Sequence, residues 1–165
     1  NGSMNAKSGS IVQRIIVWVI VLGVLTGIGY GVWAVARQMN KTYTTVDIGK
    51  GTFRVEVADT DETRARGLGG RQELGKSEGM LFVAEKDGDI PIWMKDMRVP
   101  IDIIWLDAKK KVVHVKRDVW PDNEPHEVYH TPVPARYVLE LPAGSAKEHS
   151  IKPGVTARFS AEAQR

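Results

Sequence analysis

The chain contains no cysteine. That absence excludes disulfides, thiol catalysis, a lipid anchor attached through cysteine, and zinc sites built on thiolates. Whatever folds here must be stabilised by its core, which the roughly 120 residues after the N-terminal segment can supply. An excess of charge of one sign is also missing. The whole chain carries +3, with a sequence pI of 9.2. Removing Lys7 and Arg14 from its 23 basic residues leaves 21 against 20 acidic ones, so the part beyond residue 36 carries only +1. No basic run there exceeds Lys109-Lys110-Lys111. Such a surface offers little to a phosphate backbone, and nucleic acid is not an expected partner. Repeats at solenoid spacing and low-complexity tracts are absent beyond residue 36, so one compact domain is expected.

Charge is missing in a second place, and this gap is informative in the opposite sense. The 22 residues Ile15–Ala36 carry none, between Lys7 and Arg14 on one side and Arg37 and Lys41 on the other. As a helix at about 1.5 Å per residue the run is about 33 Å long, enough for a bilayer core of about 30 Å. Trp18 near one end, with Tyr30 and Trp33 near the other, suits rings seated at two interfaces. A transmembrane helix over 15–36 is the expectation. The rival is a secretion signal cleaved after Ala36, since Ala34-Val35-Ala36 has small-x-small spacing, although the apolar run is longer than a usual signal core. Gly23, Gly27 and Gly31 fall on one helix face and would allow a homodimer by close backbone approach, or simply reflect the frequency of glycine in membrane helices. Residues 1–14 read as a scar, Asn1-Gly2-Ser3, and a tail, and 37–42 as a tether. On either reading residues 43–165 form a domain outside the cytoplasm, periplasmic or at the cell surface, provided the short tail stays inside.

In that domain Tyr43–Ile48 and Thr52–Val57 alternate apolar and polar residues around Gly49-Lys50-Gly51, which predicts a hairpin. Asp59 and Thr60 offer caps to a short helix over 61–66, with acids in its first turn and Gly67 at its end. Strands are expected at 79–84, 90–95, 101–107, 111–118, 136–142 and 155–160, with a second short helix at 143–149. Many short strands with one or two short helices predict a mainly β (α+β) fold, an antiparallel sandwich or barrel.

Several motifs recur in an order that is specific even though each is short. Arg64-Ala65-Arg66-Gly67-Leu68-Gly69-Gly70-Arg71 is followed by Gly79-Met80-Leu81-Phe82 and by Ile92-Trp93-Met94-Lys95-Asp96-Met97. Pro100, Asp102, Pro121, Leu139-Glu140 and Ala143-Gly144 then follow. Together they resemble the domain-of-unknown-function family 192 over about residues 46–160. Gly69 stands where that family usually has Met, and Asp96 and Met97 where it has Asn and Thr. The resemblance implies a mainly β fold of jelly-roll-like character and no established biochemical activity. Asp96 cannot donate as Asn does unless protonated, and Met97 is only a weak acceptor, so a ligand touching that pair would differ from the family's.

Alternation over 92–96 places Ile92, Met94 and Asp96 on one face and Trp93 and Lys95 on the other. A Trp beside a Lys makes half of a polar-aromatic site, the ring stacking on a sugar or apolar group while the ammonium takes an anion. Arg64 and Arg71 would add a guanidinium fork for a small polar or anionic ligand. In the competing arrangement Trp93 is core, Lys95 is solvated, and one Arg pairs with Asp102 or Glu140. Those two acids sit among Ile and Leu, so they are solvated, paired, or a carboxylate couple for acid-base work. The expected site set is therefore Arg64, Arg71, Trp93, Lys95, Asp96, Asp102 and Glu140, with no cofactor. His126-Glu127-Val128-Tyr129-His130 matches a zinc-protease pattern in letter. That chemistry needs both imidazoles on one helix face, whereas Pro121, Pro125, Pro132 and Pro134 leave no room for a long helix. His126 and His130 remain the weaker, metal-dependent alternative. The readings left standing are a membrane-anchored ligand- or partner-binding domain, an envelope-directed hydrolase, and an oligomeric interaction module.

Overall fold

The computed structural model describes residues 18–19, 22–24, 26–30 and 41–160. The chain divides into two units, residues 1–41 and 42–165. In the first, residues 18–19, 22–24 and 26–30 are helical, but most of the expected 15–36 span, Gly31 included, lies outside the described residues. Among those described, no helix is long and apolar enough to cross a membrane.

The second unit begins with the expected hairpin, β1 (Tyr43–Ile48) and β2 (Gly51–Ala58), in antiparallel register from Tyr43 opposite Glu56 to Ile48 opposite Gly51. Next comes α1 (Asp61–Arg66). Thr60 accepts from the Thr63 amide, and the Thr63 hydroxyl accepts from the Thr60 amide in return, a capping box that satisfies two free donors at the helix start. Gly67, at φ 52°, ends the helix, donating its amide to the Thr63 carbonyl. This crossover lets β3 (Glu78–Gly88) run parallel to β2, Val55 opposite Gly79 and Val57 opposite Leu81. A parallel pair needs such a connection, because a tight turn can only reverse the chain.

The remaining strands are β4 (Ile92–Trp93), β5 (Ile101–Leu106), β6 (Val112–Val119), β7 (Val128–Tyr129) and β8 (Ala135–Pro142), followed by α2 (Ser145–Glu148). Six of the eight strands form one sheet in the order β1-β2-β3-β8-β5-β6, while β4 and β7 pair separately. The fold is thus mainly β with short helices, as expected. The sheet is open, however, not a closed barrel, and β2–β3 breaks the antiparallel pattern. The strand expected at 155–160 is reduced to single bridges. Thr156 meets Lys111 and Arg158 meets Asp47, so the C-terminal tail touches residues at both edges of the sheet without completing a ladder.

Both faces of the sheet are buried. One carries Val46, Phe53, Val55, Leu81, Ile104 and Leu139, packed with Ile151 from outside the sheet. The other carries Met80, Phe82, Ile103, Trp105 and Val138, covered by Leu68, Ile92 and Met94 from outside the sheet. Double burial explains why β5 is apolar without alternation, apart from Asp102.

Candidate functional site

The layer on the second face is held by a few specific bonds. Trp105, fully buried, donates its indole N–H to the Ile90 carbonyl at 3.0 Å and fixes the segment leading into β4. Gly70 donates its amide to the Asp96 carbonyl at 2.8 Å, which joins the loop after α1 to the turn after β4. Gly69 sits in that seam. A Cβ built there would lie 3.1 Å from the Arg66 carbonyl oxygen and 3.4 Å from the Asp96 Cβ, so the absence of a side chain permits the close approach. Asp96 has φ 59°, a left-handed conformation that Asp and Asn enter more readily than other side chains. β4 ends at Trp93, so the alternation expected through residue 96 gives way to this turn.

Between these segments lies a cavity of about 190 Å³, walled by Arg64–Gly69, Phe82, Ile90–Trp93, Lys95 and Met97, with Glu140 at its buried end. It continues into an outer cleft bordered by Arg66, Gly70, Trp93, Lys95, Asp96 and Arg98. Trp93 is 55% exposed, a large aromatic presented rather than packed away. Arg66 and Lys95 make no side-chain hydrogen bond or ion pair among the described residues. Two unpaired cations and an open indole therefore share the mouth.

Glu140 projects from β8 in a cross-sheet row with Met80 on β3 and Ile103 on β5. It is only 4% exposed and lines the cavity. Burial pushes its carboxyl up to about 8, while the charge of the Arg71 guanidinium pulls the other way. No hydrogen bond holds it among the described residues. A buried carboxyl is normally partnered, because leaving it alone costs free energy. Here a neutral acid lies against an opening.

The expected residues divide accordingly. Trp93, Lys95, Glu140 and Arg64 line the cavity and Asp96 the outer cleft, but the guanidinium fork does not form. Arg64 donates to the Asp59 and Val83 carbonyls at 2.7 and 3.0 Å and to Asp61 at 2.6 Å, making it a strut of the wall. Arg71 is hydrogen-bonded to buried Glu56 and is not among the lining residues. Asp102 faces the opposite side of the sheet, accepting from the Asp118 amide at 2.8 Å and the Ala146 amide at 2.7 Å, so it pins α2 and forms no couple with Glu140. The histidines turn to separate carboxylates, His126 to Asp122 at 2.7 Å and His130 to Asp89 at 2.6 Å, on either side of β7 rather than on one helix face. Sequence reasoning missed Arg66 and Glu56. Arg66 was hidden by being one of three arginines in a row of eight residues. Glu56 occupies a position that in β2 should have been apolar or solvated, a signal that was present in the alternation.

The sequence profile of the uncharacterised family DUF192, described as "Uncharacterized ACR", matches residues 44–159. The chain belongs to DUF192. Among curated relatives, a UPF0127 protein of Thermococcus kodakarensis is 29% identical over 101 residues, 61% of each chain. One from Thermococcus sibiricus is 32% identical over 93 residues, 56% of this chain and 57% of the relative. The chain thus spans about three fifths of the length of the curated relatives it matches. Among solved structures, a protein of unknown function from Novosphingobium aromaticivorans superimposes with a TM-score of 0.65 at 31% identity, over 72% of this chain and 84% of that one. A candidate transcription regulator from Sinorhizobium meliloti 1021 gives 0.68 at 24% identity, over 72% and 95%, and shows the shared DUF192-type fold alone. Among the DUF192 motifs of this chain, Gly79 has a structural cause. A Cβ there would fall 2.3 Å from the Glu140 carbonyl oxygen, so the glycine lets β3 close on the strand that carries the buried acid.

Proposed function

We propose that this domain binds a small ligand in the cleft between the loop after α1 and the turn after β4, with Glu140 at its inner end and Trp93, Arg66 and Lys95 at its mouth. The observation that carries the reading is the Glu140 carboxyl, which is 4% exposed, has no hydrogen bond among the described residues and lines a cavity. A group in that state is held ready for a partner the chain does not supply. The mouth supplies the other half, an open aromatic face and uncommitted cations, the mixture typical of sites that orient a small molecule.

In this proposal the uncharged run 15–36 anchors the chain in a membrane and the binding domain works outside the cytoplasm. The length of that run, its flanking charges and its terminal aromatics support the anchor. The test of binding is a thermal-shift screen of the full-length chain against small metabolites, repeated on Trp93→Ala and Glu140→Leu. A ligand that binds only the folded form raises the midpoint. Compounds that stabilise the parent chain but neither variant support the proposal. Equal stabilisation of all three proteins would place the binding elsewhere.

A further inference from the structure

The charge and shape of the cleft narrow the kind of molecule it takes, on the premise that the cleft is a binding site. Its outer part carries three cations, Arg66, Lys95 and Arg98, against one carboxylate, Asp96. Among the described residues, Arg66 and Lys95 have no side-chain hydrogen bond or ion pair to displace. The inner part is apolar, formed by Leu68, Phe82 and Ile92, and it ends at Glu140. The mouth is thus cationic and the interior mainly apolar, apart from Arg64, which is held in the wall by its own hydrogen bonds, and the acid at the end.

The inner cavity, about 190 Å³, sets the size of the part of the ligand that enters it. An apolar protein cavity of about 150 Å³ is known to accommodate benzene. A single ring or a short branched chain fits, with an additional small group reaching the outer cleft.

We infer that the ligand is a compact organic monoanion with an apolar body, its carboxylate at Lys95 and Arg66, its body between Trp93 and Phe82, and any inner polar atom accepting a hydrogen bond from Glu140. A cation entering the same cleft meets a mouth of its own sign. It also finds an inner acid whose burial favours the protonated form, so pairing with it requires that acid first to give up its proton. A purely neutral molecule of the same size gains the apolar contacts but nothing from the two cations. Charge-assisted hydrogen bonds to a carboxylate are about twice as strong as neutral ones, so the anion is preferred over both.

Three probes of one shape separate these cases: phenylacetate, 2-phenylethanol and phenethylamine. Thermal unfolding of the full-length chain in a neutral detergent at pH 7 is followed with each in turn, at rising concentration. Phenylacetate is expected to raise the midpoint by about 2 °C or more, the other two by less. The double substitution of exposed Lys95 and half-buried Arg66, Lys95→Ala with Arg66→Ala, is expected to abolish the rise while lowering the unliganded midpoint by no more than a few °C, since neither side chain makes a hydrogen bond or ion pair among the described residues. A rise with phenethylamine or 2-phenylethanol that equals or exceeds that of phenylacetate overturns the anion assignment and leaves the cleft as a binding site. A phenylacetate effect that survives in the double variant overturns it too. No rise with any of the three also overturns the assignment, whereas the cleft itself is judged by the broader metabolite screen.

Discussion

At the scale of single residues, Glu140 carries most of the argument. Its carboxyl, pushed from an ordinary 4.5 to about 8, stays protonated in the folded chain while the unfolded chain gives up its proton. Between those two values the unfolded state binds fewer protons, so stability from this group is complete below about pH 4.5 and is lost as pH rises to about 8. Glu140→Gln is therefore expected to match the parent in urea unfolding at pH 4 and to exceed it at pH 9, on the order of a few kcal/mol. A variant less stable than the parent at pH 9 would mean that the carboxylate is satisfied there. The sequence marked Glu140 as unusual because it stands between Leu139 and Leu141. What it could not give was the side of the sheet, since β8 is buried on both faces, nor the absence of a partner. Asp96 teaches a related lesson. Its replacement of Asn looked like a change in ligand chemistry, yet the turn at φ 59° asks first for a residue that tolerates a left-handed backbone. Asp96→Val is expected to lose about 1–2 kcal/mol in chemical unfolding and Asp96→Gly far less.

At the scale of elements, the cleft depends on how α1 and β3 are set. The Thr60–Thr63 capping box was legible as a cap at Asp59 or Thr60, and the helix 61–66 appeared where its first-turn acids placed it. Thr60→Ala is expected to cost about 1 kcal/mol by urea unfolding. Gly79→Ala must move either β3 or β8, because the added methyl meets backbone at 2.3 Å and not a flexible side chain. An overpacking cost of about 1–3 kcal/mol is expected from its thermal unfolding. Elements that rest on non-local pairing were less legible. β7 has two residues and exists because Ile92 and Trp93 lie opposite Tyr129 and Val128, which no local pattern announces. Conversely, 155–160 alternates like a strand but finds only isolated bridges at Thr156 and Arg158. Periodicity reports which residues would suit a ladder and is silent on whether a free edge is within reach.

At the scale of the molecule, the mainly β character was legible because strands and turns alternate along 43–142. The topology was not. An antiparallel arrangement was expected, whereas the α1 crossover makes β2 and β3 parallel and β8 inserts between β3 and β5. That insertion places Glu140 at the centre of the sheet, beneath the layer built from the 66–70 loop and β4. Arg71 and Asp102, which sequence spacing grouped with the site, serve instead to neutralise Glu56 and to hold α2. The cleft is therefore a product of tertiary packing, with its outer residues clustered in two short sequence blocks and its inner acid some forty residues further on. Backbone and indole NMR of the full-length chain, titrated with a compound that stabilises it in the thermal screen, tests the central claim most directly. The account predicts that the amides of Gly69, Gly70 and Lys95 and the indole N–H of Trp93 shift together, and that Glu140→Leu weakens the titration. Shifts confined to residues outside the cleft, or unchanged by that substitution, would contradict it.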